Sequence, residues 1–244
     1  MQKESANGVA GKTAIVTGGT RGIGYAIARM LLERGAEVAI CARSQEGVTK
    51  AVASLREQTG KTAVGWACDV ANEEAIQAFF GKVDEVYPKL DILINNAGVG
   101  IFKSVGEMTP AEWRTTLDTN LTGVFYFTHL AVERFRKTGG GFVVNLSSLA
   151  GRNPFAGGAA YNASKFGLNG FTEALMLDHR NDNVRVCSVM PGSVATDFGG
   201  PGGTGTSWKI QPEDIAEVVR VVLEMPERTM VSRVEIRPSR PSKS

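Results

Sequence analysis

The sequence predicts an α/β fold in which a doubly wound parallel sheet of about seven strands carries helices on both faces. Short apolar runs alternate with longer amphipathic segments, which is typical of parallel strands joined by helices. Ile23, Ile27 and Leu31 recur at the spacing of one helix face. The predicted strands are 12–17, 37–41, 63–68, 90–95, 141–147, 184–190 and 232–236. After the helix that begins near Ile23, the predicted helices are about 45–59, 72–87, 110–137, 162–181 and 212–224.

The chain of 244 residues is expected to form a single domain over 1–244. No Pro/Ser-rich linker divides it, and residues 1–10 are expected to be a flexible tail. The glycine run "GGPGGTG" at 199–205 is too short to link two domains and is expected to be a mobile loop beside a site.

Composition argues against several classes of function. A net charge of +2, with acidic and basic residues interleaved, gives no case for a nucleic-acid partner. The apolar runs are too short for a membrane span, and the first residues have no signal-peptide pattern. Cys41, Cys68 and Cys187 lie in apolar runs and are expected to be buried free thiols, so a cytoplasmic location is predicted. No metal site is expected, and the two histidines, His129 and His179, are interpreted as structural.

Small, polar and charged residues follow the predicted strands, in "TGGTRGIG", "CARS", "CDV", "NNAG", "LSS" and "MPGSVATD". In open α/β sheets ligands bind at the carboxyl ends of the strands. The sequence therefore predicts a binding site there, independently of any single motif.

The turn "TGGTRGIG" places Gly18, Gly22 and Gly24 between the first strand and the first helix. Glycines allow a backbone to approach a pyrophosphate, whose charge a helix N-terminus favours. A tight strand-to-helix turn without a ligand is the alternative interpretation. The position of the turn favours nucleotide binding and a Rossmann-type sheet.

The residues after the second strand indicate which dinucleotide is bound. An acidic residue there commonly holds the adenosine ribose hydroxyls, but this chain has Ala42 followed by Arg43. Arg43, with Arg21 of the glycine turn, can bind a 2′-phosphate through charge-assisted hydrogen bonds. NADP(H) is therefore the expected cofactor, the alternative being that both arginines are solvated surface charges.

In "YNASKFG", Tyr161 and Lys165 are four residues apart and project from one helix face. The pair could be a surface contact, or a proton donor whose acidity a neighbouring ammonium raises. Ser148, at the end of the fifth strand, could donate a hydrogen bond to the same substrate oxygen, with Ser147 as its competitor.

The glycine turn, "NNAG", a serine after the fifth strand and "YNASK", in that order, resemble the short-chain dehydrogenase/reductase family. The resemblance extends from about Lys12 to about Asp197. Within the family, the chain is similar to the single-domain branch that includes 3-oxoacyl-carrier-protein reductases. It implies that Asn120, Ser148, Tyr161 and Lys165 are the catalytic tetrad, and the 13-residue spacing to Tyr161 favours Ser148 over Ser147. The residues expected to contact cofactor are Gly18, Thr20, Arg21, Gly22, Ile23, Gly24, Arg43, Asp69, Val70, Asn96, Ala97, Gly98, Tyr161, Lys165, Pro191, Gly192, Val194 and Thr196.

The resemblance implies more specific roles for some of these residues. Asp69 would receive the adenine amino group, Lys165 would also bind the nicotinamide ribose, and the "PGSVAT" segment would hold the nicotinamide. Asn120, a poor helix former in mid-helix, would mark a local helix distortion that holds a water in a proton relay to Lys165.

Residues 193–209 are expected to form the substrate loop, in which Phe198 and Trp208 are the large apolar residues. Ser148, Tyr161 and Phe198 are the predicted substrate contacts. The predicted activity is NADP(H)-dependent ketone reduction. The alternatives are an alcohol or polyol dehydrogenase and a non-catalytic NADP-sensing regulator. By resemblance, a homodimer or homotetramer would form through the helices at about 110–137 and 162–181.

Overall fold

In a computed structural model of the chain, which describes residues 8–199 and 207–241, seven parallel strands form one sheet. The strand order is β3-β2-β1-β4-β5-β6-β7. The strands are β1 Thr13–Thr17, β2 Glu37–Ala42, β3 Val64–Ala67, β4 Ile92–Asn95, β5 Gly141–Leu146, β6 Val184–Pro191 and β7 Arg233–Ile236. The α-helices are α1 Gly22–Glu33, α2 Gln45–Thr59, α3 Glu73–Val86, α4 Pro110–Leu117, α5 Gly123–Thr138, α6 Ala159–His179 and α7 Pro212–Glu224. The predicted doubly wound parallel sheet is confirmed.

Some predicted segments extend beyond the described residues. Residues 1–7 of the predicted tail and residues 200–206 of the predicted substrate loop lie outside them, as do residues 242–244.

The buried strands separate two apolar cores. All five residues of β1 are buried, and side chains alternate between the two faces of a strand. Val16 therefore packs in the core formed with α1, α2 and α7, whereas Ile15 packs in the core formed with α3, α5 and α6. Helices cover both faces of the sheet, and in such sheets ligands bind at the carboxyl ends of the strands.

The strand order reverses beside β1. The chain runs outward from β1 to β2 and β3, then returns to place β4 on the other side of β1. A reversal of this kind opens a crevice between the loops that follow β1 and β4.

The predicted helical segment at about 110–137 is interrupted at Asn120, where the family resemblance implied a local helix distortion. The structure has α4, then a π-helical turn at Asp118–Thr122, then α5. Asn120 explains the turn, because its side-chain amide both accepts from the backbone N–H of Val99 at 2.8 Å and donates to the Val99 carbonyl at 2.9 Å. Gly123 adds a second constraint, since a Cβ there would lie 2.1 Å from the Val70 carbonyl oxygen.

The three cysteines, Cys41, Cys68 and Cys187, are free and buried, as expected from their apolar surroundings. Burial raises the pKa of the Cys187 thiol to about 12, which keeps it protonated and unreactive. Among the described helices, none combines the length and the apolar character that a membrane crossing requires.

Candidate active site

A cleft of about 990 Å³ lies at the carboxyl edge of the sheet. Its walls come from the segments that follow β1, β2, β3, β4, β5 and β6. Nearly every site residue that the sequence singled out lines it. These are Gly18, Thr20, Arg21, Gly22, Ile23, Arg43, Asp69, Val70, Asn96, Ala97, Gly98, Ser148, Tyr161, Lys165, Pro191, Gly192, Val194, Thr196 and Phe198. The two that do not line it, Gly24 and Asn120, lie behind its wall.

The glycine turn needs its glycines for two different reasons. Gly18 and Gly22 have positive φ angles of 64° and 55°, which residues with a side chain rarely adopt. Gly24 is needed for space, because a Cβ there would lie 2.3 Å from the Asn96 Nδ2 and 2.4 Å from the Gly18 carbonyl oxygen. The turn is therefore packed tightly against the loop that follows β4.

Asn96 and Thr17 join the glycine turn to that loop. The Asn96 side-chain amide donates to the Thr17 carbonyl at 2.9 Å and to the Gly18 carbonyl at 3.1 Å. The Thr17 hydroxyl in turn accepts from the backbone N–H groups of Asn96 and Ala97, both at 3.0 Å. Sequence analysis missed Thr17, although a hydroxyl at the end of an otherwise apolar strand was a usable signal.

The N-terminus of α1 suits an anion. Arg21 is its N-cap residue, its side chain caps no backbone N–H, and the first turn contains no acidic residue. The free N–H groups and the positive end of the helix dipole are the features that favour a phosphate. Together with Gly18 and Gly22, which line the cleft with positive φ angles, they fit the pyrophosphate of a dinucleotide.

Two arginines lie at the end of the cleft formed by β1 and β2. Arg21 and Arg43 are both exposed and line the cleft. Across residues 8–199 and 207–241, neither guanidinium lies in an ion pair with a carboxylate. Both charges are therefore available to an anionic group in the cleft.

Tyr161 and Lys165 project from α6 toward the middle of the cleft. Both are buried, and the Lys165 Nζ donates to the Leu146 carbonyl at 2.8 Å. The ammonium lies 5.8 Å from the centroid of the Tyr161 ring. Leu146 ends β5, so this strand end fixes where the lysine head group lies.

The acid–base properties of this pair are set by burial. Burial raises the pKa of the Tyr161 phenol, and the neighbouring Ser148 hydroxyl acts in the opposite direction because it can donate to a phenolate. Burial lowers the pKa of Lys165 to about 8. The expected lowering of the Tyr161 pKa is thus not found in the free protein, because desolvation outweighs the other influences on the phenol.

Ser148 has two roles available to it. It lies at the end of the β5 segment and lines the cleft, and its Oγ also accepts from the backbone N–H of Ala150 at 3.1 Å. The bond caps a short 3₁₀ turn at Leu149–Gly151. A serine hydroxyl that accepts one bond keeps its own hydrogen free to donate to a second group.

Asn120 is fully buried behind the cleft rather than in its wall. Its Nδ2 donates to the Ser164 hydroxyl at 3.1 Å, and that hydroxyl donates to the Tyr161 carbonyl at 2.8 Å. A chain of hydrogen bonds therefore joins the π-helical turn to the backbone of α6. Asn120 supports the position of Tyr161 in addition to holding the loop at Val99.

Three phenylalanines line the cleft next to Tyr161. Phe198 was expected there, whereas Phe102 and Phe155 were missed. Their signal was available, since both are large apolar residues in loops that follow strands. Trp208, the other large residue of the predicted substrate loop, does not line the cleft. The ends of that loop are joined by a bridge in which the Ala195 N–H donates to the Ile210 carbonyl at 2.8 Å.

Neither histidine lines the cleft. His179 Nδ1 lies 2.8 Å from an Asp182 carboxylate oxygen, and His129 stacks on the ring of Phe125. In the described part of the chain, no three His, Cys, Asp or Glu residues are grouped so that they could hold a metal ion.

Comparisons with known proteins agree with this geometry. The family model described as short chain dehydrogenase matches residues 12–204. The chain is 37% identical over 216 residues to the rabbit protein "Dehydrogenase/reductase SDR family member 4", covering 87% of this chain and 81% of that protein. It is 39% identical over 187 residues to a "Putative ketoacyl reductase" of Streptomyces coelicolor, covering 76% of this chain and 71% of that protein.

A solved structure leads to the same family. A metagenomic short-chain oxidoreductase in complex with NADP superposes with a TM-score of 0.83 at 36% identity, covering 96% of this chain and 99% of the other. The resemblance inferred from the motifs is thereby confirmed, and this chain belongs to the short-chain dehydrogenase family of oxidoreductases.

Proposed function

We propose that this oxidoreductase uses NADP(H) to interconvert a ketone and a secondary alcohol, and that it acts mainly as a ketoreductase of the 3-oxoacyl-carrier-protein reductase kind. One observation carries the proposal: a single cleft contains the glycine turn, the two exposed arginines Arg21 and Arg43, and the Ser148–Tyr161–Lys165 group. The likeness to a putative ketoacyl reductase and to an NADP-bound oxidoreductase supports it.

The residues of the cleft suit the different parts of NADP(H). The glycine turn and the α1 N-terminus would bind the pyrophosphate, and Arg21 and Arg43 would bind the 2′-phosphate. Asp69 would face the adenine, and the segment from Pro191 to Thr196 would face the nicotinamide. When bound, the reduced cofactor supplies the hydride that the carbonyl carbon accepts.

Tyr161 would supply the proton in the reductive direction. Its raised pKa keeps the phenol protonated, so the O–H is available to the carbonyl oxygen as negative charge develops there. Ser148 would donate a second hydrogen bond to the same oxygen. Both donors line the cleft, and the Ser148 hydroxyl lies within hydrogen-bonding reach of the Tyr161 phenol, so the two could meet at one oxygen.

Lys165 would stabilise the phenolate that forms when Tyr161 gives up its proton. An ammonium close to a phenolate favours the ionised form, and the Leu146 carbonyl holds the Lys165 head group in position. Protons would return to Tyr161 through the lysine and a water held near the Asn120 turn. A group with a pKa of about 8 can both hold and release a proton near neutral pH.

Two alternatives remain as hypotheses. An NADP-dependent alcohol or polyol dehydrogenase would use the same residues in reverse, because a catalyst accelerates both directions. A non-catalytic NADP-sensing regulator is less well supported, since all four residues of the proposed tetrad are present. We also propose a homodimer or homotetramer, which the exposed Phe125 of α5 and Leu177 of α6 support because large apolar side chains at a surface favour association.

The test is a panel of ketones and aldehydes mixed with the protein and NADPH, followed by absorbance of the reduced nicotinamide. Turnover that Tyr161→Phe reduces at least about a hundredfold, the range of one general acid–base group, is the expected result. Full activity in Tyr161→Phe would overturn the mechanism. Tight NADPH binding without turnover of any compound would favour the sensor.

A further inference from the structure

The ring of Tyr161 is surrounded by three phenylalanines from three different loops. Phe102 follows β4, Phe155 follows β5 and Phe198 follows β6. Their ring centroids lie 5.5, 6.4 and 5.6 Å from that of Tyr161, respectively. We call these three residues the aromatic wall.

The aromatic wall is continuous because Phe102 contacts the other two rings. Its centroid lies 5.7 Å from that of Phe155 and 6.5 Å from that of Phe198. The rings meet edge to face, the arrangement that aromatic quadrupoles favour. Each ring is nonetheless 43–45% exposed, and all three line the cleft. Large apolar area is therefore left uncovered where a substrate must approach Tyr161.

Glycines make room for the rings. A Cβ on Gly100 would lie 2.8 Å from both Phe102 and Phe198, and one on Gly158 would lie 2.6 Å from Phe155. Any larger residue at these positions would displace the rings. The backbone is thus matched to the position of the aromatic wall.

Polar contacts fix two of the three loops that carry the rings, those of Phe155 and Phe102. The Asn162 side chain, one residue beyond Tyr161, donates to the Phe155 carbonyl at 2.9 Å. Lys103, next to Phe102, forms a bridge with Gly158 and an ion pair with Glu112 at 2.5 Å. The loops of Phe102 and Phe155 are thus held before substrate binds, which reduces the entropy lost on binding.

We propose that the aromatic wall makes the enzyme prefer ketones and secondary alcohols whose carbonyl carbon bears a cyclic apolar group, aryl or alicyclic, over those that bear a linear chain. A ring presents a flat face or edge to the phenylalanines and has few rotatable bonds to immobilise, whereas a linear chain loses rotational freedom when it packs there. The inference rests on the proposed function, because it assumes that the carbonyl is reduced next to Tyr161.

The test compares two methyl ketones of equal carbon number, cyclohexyl methyl ketone and octan-2-one. Neither carbonyl is conjugated, so their intrinsic reactivities are similar. We expect kcat/KM with NADPH to be at least about tenfold higher for the cyclic ketone. We expect Phe102→Leu and Phe155→Leu each to lower that ratio by about two- to tenfold, the range for one aromatic contact. A ratio near one, or variants that reduce activity on both ketones equally, would overturn the proposal.

The control variant is Phe166→Leu, because Phe166 is also 45% exposed but does not line the cleft. Its ratio should equal that of the unmodified protein, and a fall like that of Phe102→Leu would count against the proposal. A cooperative thermal unfolding transition checks that each variant is folded. If Phe102→Leu does not fold, Phe155→Leu provides the test of the aromatic wall.

A binding measurement separates this inference from the proposed function. Cyclohexanecarboxamide and heptanamide, which are not reduced, are titrated calorimetrically into the protein saturated with NADP⁺. Tighter binding of the cyclic amide, reduced in Phe102→Leu, supports the aromatic wall. Equal binding overturns it. Failure to reduce either ketone would instead count against the proposed function, and the amides would still decide the inference.

Discussion

Replacing Arg43 by aspartate is expected to lower the preference for NADPH over NADH by about 10- to 100-fold. Arg43 lines the cleft and has no carboxylate partner in the described chain, so its charge is free for a 2′-phosphate. A hydrogen bond to a charged group contributes about 1.5–3 kcal/mol, and exposure places this one near the lower end. At about 1.4 kcal/mol per tenfold change, loss of that contact alone gives the lower limit.

The new carboxylate adds to this effect in two ways. It would repel the 2′-phosphate of NADPH, and it would accept hydrogen bonds from the free ribose hydroxyls of NADH. The upper limit of the range assumes that these effects together contribute a second factor of ten.

The assay is kcat/KM for NADPH and for NADH with one ketone substrate, at low and high salt. Arg228→Asp is the matched control, since Arg228 is exposed, lies away from the cleft and undergoes the same change of charge. High salt should weaken the NADPH preference of the unmodified protein, because exposed charges are screened. An NADPH:NADH ratio unaltered by Arg43→Asp, or altered equally by Arg228→Asp, would refute the reasoning.

Three further predictions concern the glycine turn, the lysine and the buried amides. Gly24→Ala should lower the free energy of unfolding by about 1–3 kcal/mol because its Cβ overlaps the Gly18 carbonyl. Gly81→Ala, at a helical site with nothing within 4 Å of the new Cβ, should be neutral or stabilising in the same urea titration. Reductive kcat/KM should be constant from about pH 6 to 7 and fall above about pH 8, because Lys165 with its pKa of about 8 loses its charge there; a flat profile to pH 10 would contradict this. Asn145→Ala should lower the free energy of unfolding in urea by about 1–3 kcal/mol, because it deprives its buried partners Asn95 and Thr172 of one hydrogen bond each. A decrease of less than about 0.5 kcal/mol, which is typical of surface substitutions, would contradict this.

Local sequence was most informative where residue type alone limits the backbone. Gly18 and Gly22 were identified because glycines allow a backbone to approach a pyrophosphate. Both have positive φ angles, which residues with a side chain rarely adopt. The apolar strands predicted the sheet because parallel strands covered on both faces must be apolar throughout. Seven strands are found at the predicted places, with ends that differ by at most two residues.

Long-range contacts explain what local patterns left open. The periodicity of 110–137 predicts a helix, and only the family resemblance implied a distortion at Asn120. The break at 118–122 depends on bonds between Asn120 and the backbone of Val99, 21 residues away. The four-residue spacing of Tyr161 and Lys165 also could not predict the direction in which the Tyr161 pKa is shifted. A lysine four residues away suggested a more acidic phenol, whereas the burial that raises its pKa results from packing of the surrounding loops.

The sequence by itself therefore determined the sheet, the position of the site at its carboxyl edge and the residue types that the chemistry needs. Only the tertiary structure decided how the cleft is enclosed. Phe102, Phe155 and Phe198 are far apart in the chain and lie in loops without regular periodicity, so no local pattern relates them. They meet around Tyr161 because parallel strands bring their following loops to one edge of the sheet, and because glycines leave room for the rings there.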